Sequence, residues 1–75
     1  MNTRSIVLEK LRKHPQMSGR SLHQILKAHK IRLSGSAFYL MMSKMVDEGL
    51  VSFVDETVVI DGVRIKRRHF KLNDK

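Results

Sequence analysis

The strongest constraint on the fold is a pair of runs, "VSFVDETVVI" and "VRIKRRHFKL", that are separated by Asp61-Gly62. Both runs are rich in β-branched and aromatic residues, which favour strands. Asp-Gly between two such runs is typical of a two-residue β-hairpin turn. The sequence therefore predicts a hairpin with strands over about 51–60 and 63–72.

The turn also predicts which residues face each other across the hairpin. A two-residue turn pairs Ile60 with Val63, and this pairing fixes the register of the whole ladder. In that register the apolar residues change face midway, so that residues at the base share one face and residues at the tip share the other. The base residues are Val51, Phe53, Phe70 and Leu72, and the tip residues are Val58, Ile60, Val63 and Ile65.

Two structures fit this change of face. In the first, the base of the hairpin packs on the rest of the chain, and the tip projects with its apolar residues on the opposite side. In the second, a β-bulge near residues 55–57 restores one continuous apolar face. In the register without a bulge Asp55 faces Arg68 and Glu56 faces Arg67, so we expect each acid to neutralise an arginine in part.

The sequence before Gly49 has helical periodicity and predicts three helices, over about 3–14, 19–29 and 35–48. Apolar side chains recur along each of them at the spacing of a buried helix face. The first helix is expected to end at His14, because a residue that precedes proline avoids the α conformation.

Serines and a glycine mark the ends of these helices. Ser18 or Ser21 suits the N-cap of the second helix, and Ser34 or Ser36 suits that of the third. In each case the hydroxyl can accept a hydrogen bond from a free backbone N–H of the first turn. Gly49 suits a left-handed C-cap after the third helix.

The third helix contains Met41, Met42 and Met45, which share a stripe with Phe38. Thioethers can bind a soft metal such as copper. At helical spacing beside an aromatic ring, core packing is the better interpretation, because methionine fills irregular gaps well. The opposite side of this helix is then free to face outward.

The charge balance points to a polyanionic partner. The 75 residues include 15 Lys and Arg against 7 Asp and Glu, a formal net charge of +8. Such a field attracts nucleic acid, anionic lipid or an acidic protein surface, and we place nucleic acid first because the excess is large for the size. The chain has no cysteine, which excludes disulfides and thiolate metal sites.

Three helices followed by a hairpin make an α+β chain whose order is that of a winged helix-turn-helix domain with a two-stranded wing, here over residues 1–75. The sequence also resembles the PadR-like transcriptional regulators. The likeness lies in the run "SGSAFY", in the spaced Met42 and Met45, in "DEGLV" and in the closing "FKLN" of the hairpin. It covers the second half of the chain well and the second helix only loosely.

The resemblance implies a duplex DNA-binding regulator that acts in the cytoplasm, in association with the nucleoid. PadR-like regulators continue after the wing into a C-terminal helix that forms their dimer, whereas this sequence ends at Lys75. If the protein forms a homodimer, we therefore expect the first helix or the hairpin tip to provide the contact.

In helix-turn-helix proteins the second helix of the motif enters the major groove, so we expect base and phosphate contacts from its exposed first turns. These residues are Ser34, Ser36, Ala37, Tyr39, Leu40, Ser43 and Lys44. Cations elsewhere are expected to contact phosphates. They are Arg20, Lys27, Lys30 and Arg32 around the motif, and Arg64, Lys66 and Arg67 in the wing.

Tyr39 and Leu40 also have ordinary structural interpretations, as an amphipathic residue at the core edge and a scattered surface leucine. The helix has no arginine, asparagine or glutamine, the strongest bidentate base readers, so we expect modest direct readout.

Other classes of function have less support. The histidines have no metal-ligand spacing, the serines have no nearby base in a recognisable arrangement, and no glycine-rich phosphate loop is present. We therefore expect no enzyme activity, no cofactor and no membrane span. The rival prediction is a protein-interaction adaptor that docks through the hairpin tip, at Val58, Ile60, Val63 and Ile65.

Overall fold

The computed structural model describes residues 2–73, so Met1, Asp74 and Lys75 of the expected 1–75 domain lie outside the described residues. The described chain forms three helices and a three-stranded antiparallel sheet, an α+β arrangement. The elements in chain order are α1 (Thr3–Lys13), β1 (Met17–Ser18), α2 (Gly19–Ala28), α3 (Gly35–Asp47), β2 (Val51–Ile60) and β3 (Val63–Leu72). Each helix ends one residue earlier than predicted, because His14, His29 and Glu48 are the C-caps.

The predicted hairpin is confirmed, including its register. Ile60 pairs with Val63 across the turn. The turn residues Asp61 and Gly62 have φ angles of 51° and 78°, the positive values that a type I′ turn requires. Pairing continues without interruption through residues 55–57, so the alternative with a bulge is wrong.

The prediction of two strands is wrong, because the sheet has a third strand, β1. Met17 pairs with Phe70, and Ser18 pairs with His69, which gives the strand order β1-β3-β2. A strand of two residues has no alternation that a sequence pattern could display. It forms because the chain leading into α2 is already extended: Ser18 has φ −67° and ψ 152° and lies beside β3.

Side-chain and backbone caps fix the helix ends. Ser18 Oγ accepts from the N–H of Ser21 at 3.1 Å, and Ser34 Oγ accepts from the N–H of Ala37 at 3.1 Å. The N-cap is therefore Ser18 for α2 and Ser34 for α3, the earlier of the two candidate serines in each case. Gly49 has a φ of 77°, which confirms the left-handed C-cap of α3.

The core lies where the three helices meet the base of the hairpin. Its buried members are Ile6, Val7, Leu11, Leu22, Leu26, Phe38, Met42, Met45, Val51 and Phe70. Met42 and Met45 are 0% exposed, which confirms them as core packing. The predicted apolar side of α1 is buried here too, so α1 offers little apolar surface to a partner.

The hairpin has two distinct faces, because side chains alternate along a strand and paired residues share a face. We call the face of Val51 and Phe70 the inner face, since both residues are in the core. The opposite, outer face includes Ile60 and Val63, both exposed at the tip. The hairpin therefore packs at its base and projects at its tip, as the first of the two predicted structures requires.

The ends of α1 and α3 are also joined. Arg4 donates two hydrogen bonds to the carboxylate of Glu48, one of them at 3.0 Å from Nη2 to Oε2. These bonds hold the pKa of Glu48 below its ordinary value. Both side chains are exposed, so the pair adds little to stability. Among residues 2–73, none of the helices has the length and apolar character needed to cross a membrane.

Met42→Ala should lower the free energy of unfolding by about 2–5 kcal/mol, because it opens a cavity in a closed core. The matched control is Leu40→Ala, which truncates a side chain that is 59% exposed on the same helix. That control should change stability by less than about 0.5 kcal/mol. Urea denaturation monitored by circular dichroism measures both, and equal decreases in stability would contradict the assigned packing.

Candidate nucleic-acid interface

The side of α3 that faces outward is the side that the sequence predicts to be exposed. Its exposed residues include Ser34, Ser36, Tyr39, Leu40, Ser43 and Lys44. Ala37 is half-buried and only partly available, which corrects its expected place among the exposed residues. Leu40 is the most exposed large apolar side chain of this helix, at 59%. The surface is therefore small, weakly charged and close to the helix backbone.

Next to this surface lies a groove with strongly positive walls, which we call the basic groove. One wall is the start of α2, residues 18–21 with Gln24, and the other is the segment 65–68 of β3. Tyr39 of α3 also lines it. The cations that line the groove are Arg20, Lys66, Arg67 and Arg68. Three elements that are distant in sequence thus contribute to one cationic surface.

Tyr39 is held where α2 and α3 come together. A Cβ built on Gly19 would lie 2.5 Å from the Tyr39 hydroxyl oxygen, so the ring can occupy this position only because residue 19 has no side chain. The ring also makes an edge contact with Phe38, with centroids 5.1 Å apart. The phenol is 41% exposed and borders the basic groove, so its hydroxyl can donate to an anion there.

On its other side Tyr39 borders a second cleft, between α3 and the hairpin, which we call the aromatic notch. Its lining includes Ser43 and Asp47 of α3 and Phe53 of β2. Arg68 lines both the aromatic notch and the basic groove. The inner face of the hairpin therefore faces α3, and Arg68 stands at the junction of the two clefts.

Alternation along β3 divides its cations between the two faces of the hairpin. Arg64, Lys66 and Arg68 share the inner face with Phe70, and we call them the inner-face cations. Arg67 lies on the outer face opposite Glu56. In the sequence these cations form one run, whereas in the fold three of them share the inner face and Arg67 reaches the basic groove from the outer face.

Of the two predicted acid–arginine pairs, one is confirmed. Arg68 Nε donates to Asp55 Oδ1 at 2.8 Å, and Nη2 donates to Oδ2 at 3.1 Å. These hydrogen bonds hold the pKa of Asp55 below its ordinary value, and the positive charges of Arg68 and Lys66 act in the same direction. Glu56 is paired with Arg67 across the strands, as predicted, but within residues 2–73 the two form no ion pair, and the Glu56 carboxylate lies instead 4.0 Å from His69 Nε2.

The turn between α2 and α3 forms a third concave surface. Lys27, Lys30 and Arg32 line it, as expected of cations around the motif. Lys30 has a φ of 62°, and this left-handed residue ends α2 and redirects the chain. His23 supports the turn by donating from Nε2 to the carbonyl of Leu33 at 2.6 Å.

His23 of α2 packs against α3. The residue is half-buried, and its ring stacks on Phe38 with centroids 4.9 Å apart. A stacking contact between two different helices could not be predicted from the periodicity of either one.

The tip of the hairpin exposes aliphatic side chains on both faces. Ile60, Val63 and Ile65 are exposed on the outer face, and Val58 is half-buried there. Val59, which the sequence pattern does not single out, is the most exposed at 65%, and it lies on the inner face. The aliphatic surface and the inner-face cations are thus mostly on opposite sides of the ribbon.

Among residues 2–73, no group of three or more His, Asp or Glu side chains comes together as metal ligands. Comparison with models of known protein families gives no match, and no curated protein matches the chain. Its function must therefore be inferred from the surfaces themselves.

Gly19→Ala should displace the ring of Tyr39, because the added Cβ collides with the phenol oxygen. Gly35→Ala is a matched control: it is also the first residue of a helix, and its Cβ would meet nothing within 4 Å. The chain has one tyrosine and no tryptophan, so the tyrosine ring signals in an NMR spectrum report on Tyr39 alone. They should shift in Gly19→Ala only, and unchanged signals there would contradict the contact.

Proposed function

We propose that this protein is a winged helix-turn-helix protein that binds duplex DNA without catalysis and regulates transcription. The observation that carries the proposal is the basic groove, which gathers cations of α2 and β3 around Tyr39 of α3. A net charge of +8 supplies attraction to phosphates from any direction, and the groove supplies a place where it is concentrated. In this proposal α2 and α3 are the helix-turn-helix pair and the hairpin is the wing.

The exposed side of α3 would enter the major groove with its N-terminus leading. Ser34 and Ser36 are small enough to let the helix backbone approach the DNA closely. Leu40 suits the methyl group of a thymine, and Lys44 suits a phosphate or the acceptor edge of a guanine. Each of these side chains is exposed.

The cationic surfaces on either side of α3 would contact the DNA backbone. The basic groove would take one stretch of phosphates, and the turn between α2 and α3, with Lys27, Lys30 and Arg32, would take another. Beyond them, Arg64 and Lys66 would follow the backbone or reach a minor groove from the projecting hairpin. This arrangement gives most of the affinity to phosphates and little to base edges, so we expect a sequence preference and a steep salt dependence.

The likeness to PadR-like regulators stays a prediction from the sequence, as does an action in the cytoplasm on the nucleoid. Two features support the regulatory role: cationic surfaces that can bind phosphates of any sequence, and an exposed helix side that can contact bases. Binding of this kind needs no reaction on the DNA, because occupancy of a site is enough to affect transcription from it.

Removing cations from this interface should weaken binding without unfolding the chain. Lys44→Ala, and separately the double variant Arg64→Ala/Lys66→Ala, should each weaken duplex binding by about 2- to 10-fold, the effect of removing a modest hydrogen bond. The slope of log K against log salt should fall by about 1 for each phosphate that the variant no longer neutralises. Fluorescence anisotropy with a random duplex at several salt concentrations measures both quantities.

The control is Lys13→Ala, which removes an exposed cation of α1, a helix that contributes no residue to the basic groove, the aromatic notch or the α2–α3 turn. It should change affinity less than the interface variants do. Native melting curves combined with unchanged affinity in Lys44→Ala and in the double variant would overturn the site assignment.

A second function, as a protein-interaction adaptor, is favoured by the exposed aliphatic tip. Ile60 and Val63 on the outer face could dock on an apolar partner while the inner-face cations stay free, and Ile65 lies at the boundary, because it also lines the basic groove. A homodimer through apolar contacts would use this same surface, because the apolar side of α1 is already buried.

Duplex titration separates the two functions. If the protein fails to bind a random duplex even at low salt, the DNA-binding proposal is wrong and the adaptor is supported. If it binds with a steep salt slope, Ile60→Ser/Val63→Ser should leave DNA affinity nearly unchanged. Analytical ultracentrifugation of the same variant tests the homodimer, since a dimer formed through the tip should dissociate.

A further inference from the structure

Arg68 is the cation of the hairpin whose geometry is fixed most completely. It lies on the inner face, at the junction of the basic groove and the aromatic notch. Asp55 holds one edge of its guanidinium, through the bonds from Nε and Nη2. The guanidinium carbon also lies 4.0 Å from the centroid of the Phe53 ring, so the aromatic face supports the plane from one side.

This arrangement leaves donors of Arg68 available. Asp55 accepts from Nε and Nη2, and within residues 2–73 Nη1 donates to no protein atom. Because Asp55 binds one edge of the guanidinium and the Phe53 ring lies against its face, the remaining edge, with Nη1, has a fixed orientation. Arginine normally loses rotamer freedom when it binds a ligand. Here much of that freedom is already lost on folding.

The other inner-face cations differ in this respect. Arg64 and Lys66 are exposed near the tip, and neither takes part in an ion pair within residues 2–73. They can contribute charge, but each must be ordered when a ligand arrives. Arg68 is the less exposed cation and the more preorganised one.

We propose that Asp55 is a positioning residue, which holds Arg68 over Phe53 as a ready ligand for a DNA phosphate in the basic groove. The inference rests on the proposed DNA-binding function and names a contact that the sequence pattern does not indicate. From sequence, an acid opposite an arginine is expected to cancel its charge. In the structure, the same acid aims the guanidinium while leaving donors for the phosphate.

The two interpretations predict different outcomes when the acid is removed. If Asp55 only neutralises Arg68, then Asp55→Ala frees a cation and should tighten binding to a polyanion. If Asp55 positions Arg68, its removal also costs binding, because the arginine must now be ordered on the DNA. The neighbouring Glu56 provides a matched control, since it is an exposed acid of the same strand that makes no hydrogen bond to an arginine within residues 2–73.

The experiment compares the affinities of Asp55→Ala and Glu56→Ala for one random duplex by fluorescence anisotropy at several salt concentrations. Both variants gain the same net charge, and Asp55 is the acid in contact with Arg68, so charge alone predicts that Asp55→Ala binds at least as tightly as Glu56→Ala. We expect Asp55→Ala to bind about 2- to 10-fold more weakly than Glu56→Ala, the range for ordering one long side chain. Equal affinities, or tighter binding by Asp55→Ala, would overturn the proposal.

A second comparison shows whether Asp55 acts through Arg68. In an Arg68→Ala background the difference between Asp55→Ala and Glu56→Ala should disappear, because there is no guanidinium left to position. A difference that persists in this background overturns the proposal. If Asp55→Ala melts early, Asp55→Asn and Glu56→Gln replace the alanine pair, since they remove charge but keep shape.

Failure of this inference differs from failure of the proposed function. If the wild-type protein does not bind the duplex at low salt, the DNA-binding function itself is wrong. If the wild-type protein binds and the two acid variants behave alike, DNA binding stands and only the role of Asp55 is wrong.

Discussion

The buried ring of Phe70 is the contact on which both the sheet and the candidate interface depend. Phe70 is the strand partner of both Met17 of β1 and Phe53 of β2, and the centroid of its ring lies 6.5 Å from that of Tyr39. Because side chains alternate along a strand, a buried Phe70 puts the inner-face cations on the side of α3. A slip of one residue would turn all of them away. The core contact therefore determines the placement of charge.

Most of the fold could be predicted because it depends on local chemistry. The Asp61-Gly62 turn determined every cross-strand pair, and the capping residues located the starts of α2 and α3 to one of two serines each. The outward side of α3 followed from its buried stripe. What sequence could not provide were contacts between distant elements: β1 has no pattern of its own, and the basic groove exists only because α2 and β3 meet beside Tyr39. The geometry of Arg68 could not be predicted for a similar reason. The strand register predicts that Asp55 faces Arg68, but it does not predict which guanidinium nitrogens donate to the carboxylate.

The distribution of chemistry over the surface has a consequence for recognition. The predicted contact surface of α3 offers small hydroxyls, one tyrosine, one leucine and one lysine, so a single copy has few groups that distinguish one base pair from another. The cationic clefts beside it are richer in charge, and under the proposed function they would respond to the position of the phosphates instead of to base sequence. If the proposed function holds, discrimination between sequences would come from how well a given duplex lets its phosphates reach the basic groove and the α2–α3 turn at once, which is a property of DNA shape.

The acids in the middle of β2 have a further effect, on the behaviour of the strand as an edge. β2 is the outermost strand of the sheet and runs for ten residues, with aliphatic side chains near both ends. Two copies could join edge to edge in antiparallel fashion with their inner faces together, and pairing centred on the strand would set Asp55 or Glu56 against its own copy. Like charges directly opposite each other destabilise such pairing. The two carboxylates therefore disfavour antiparallel self-pairing centred on this ten-residue edge strand.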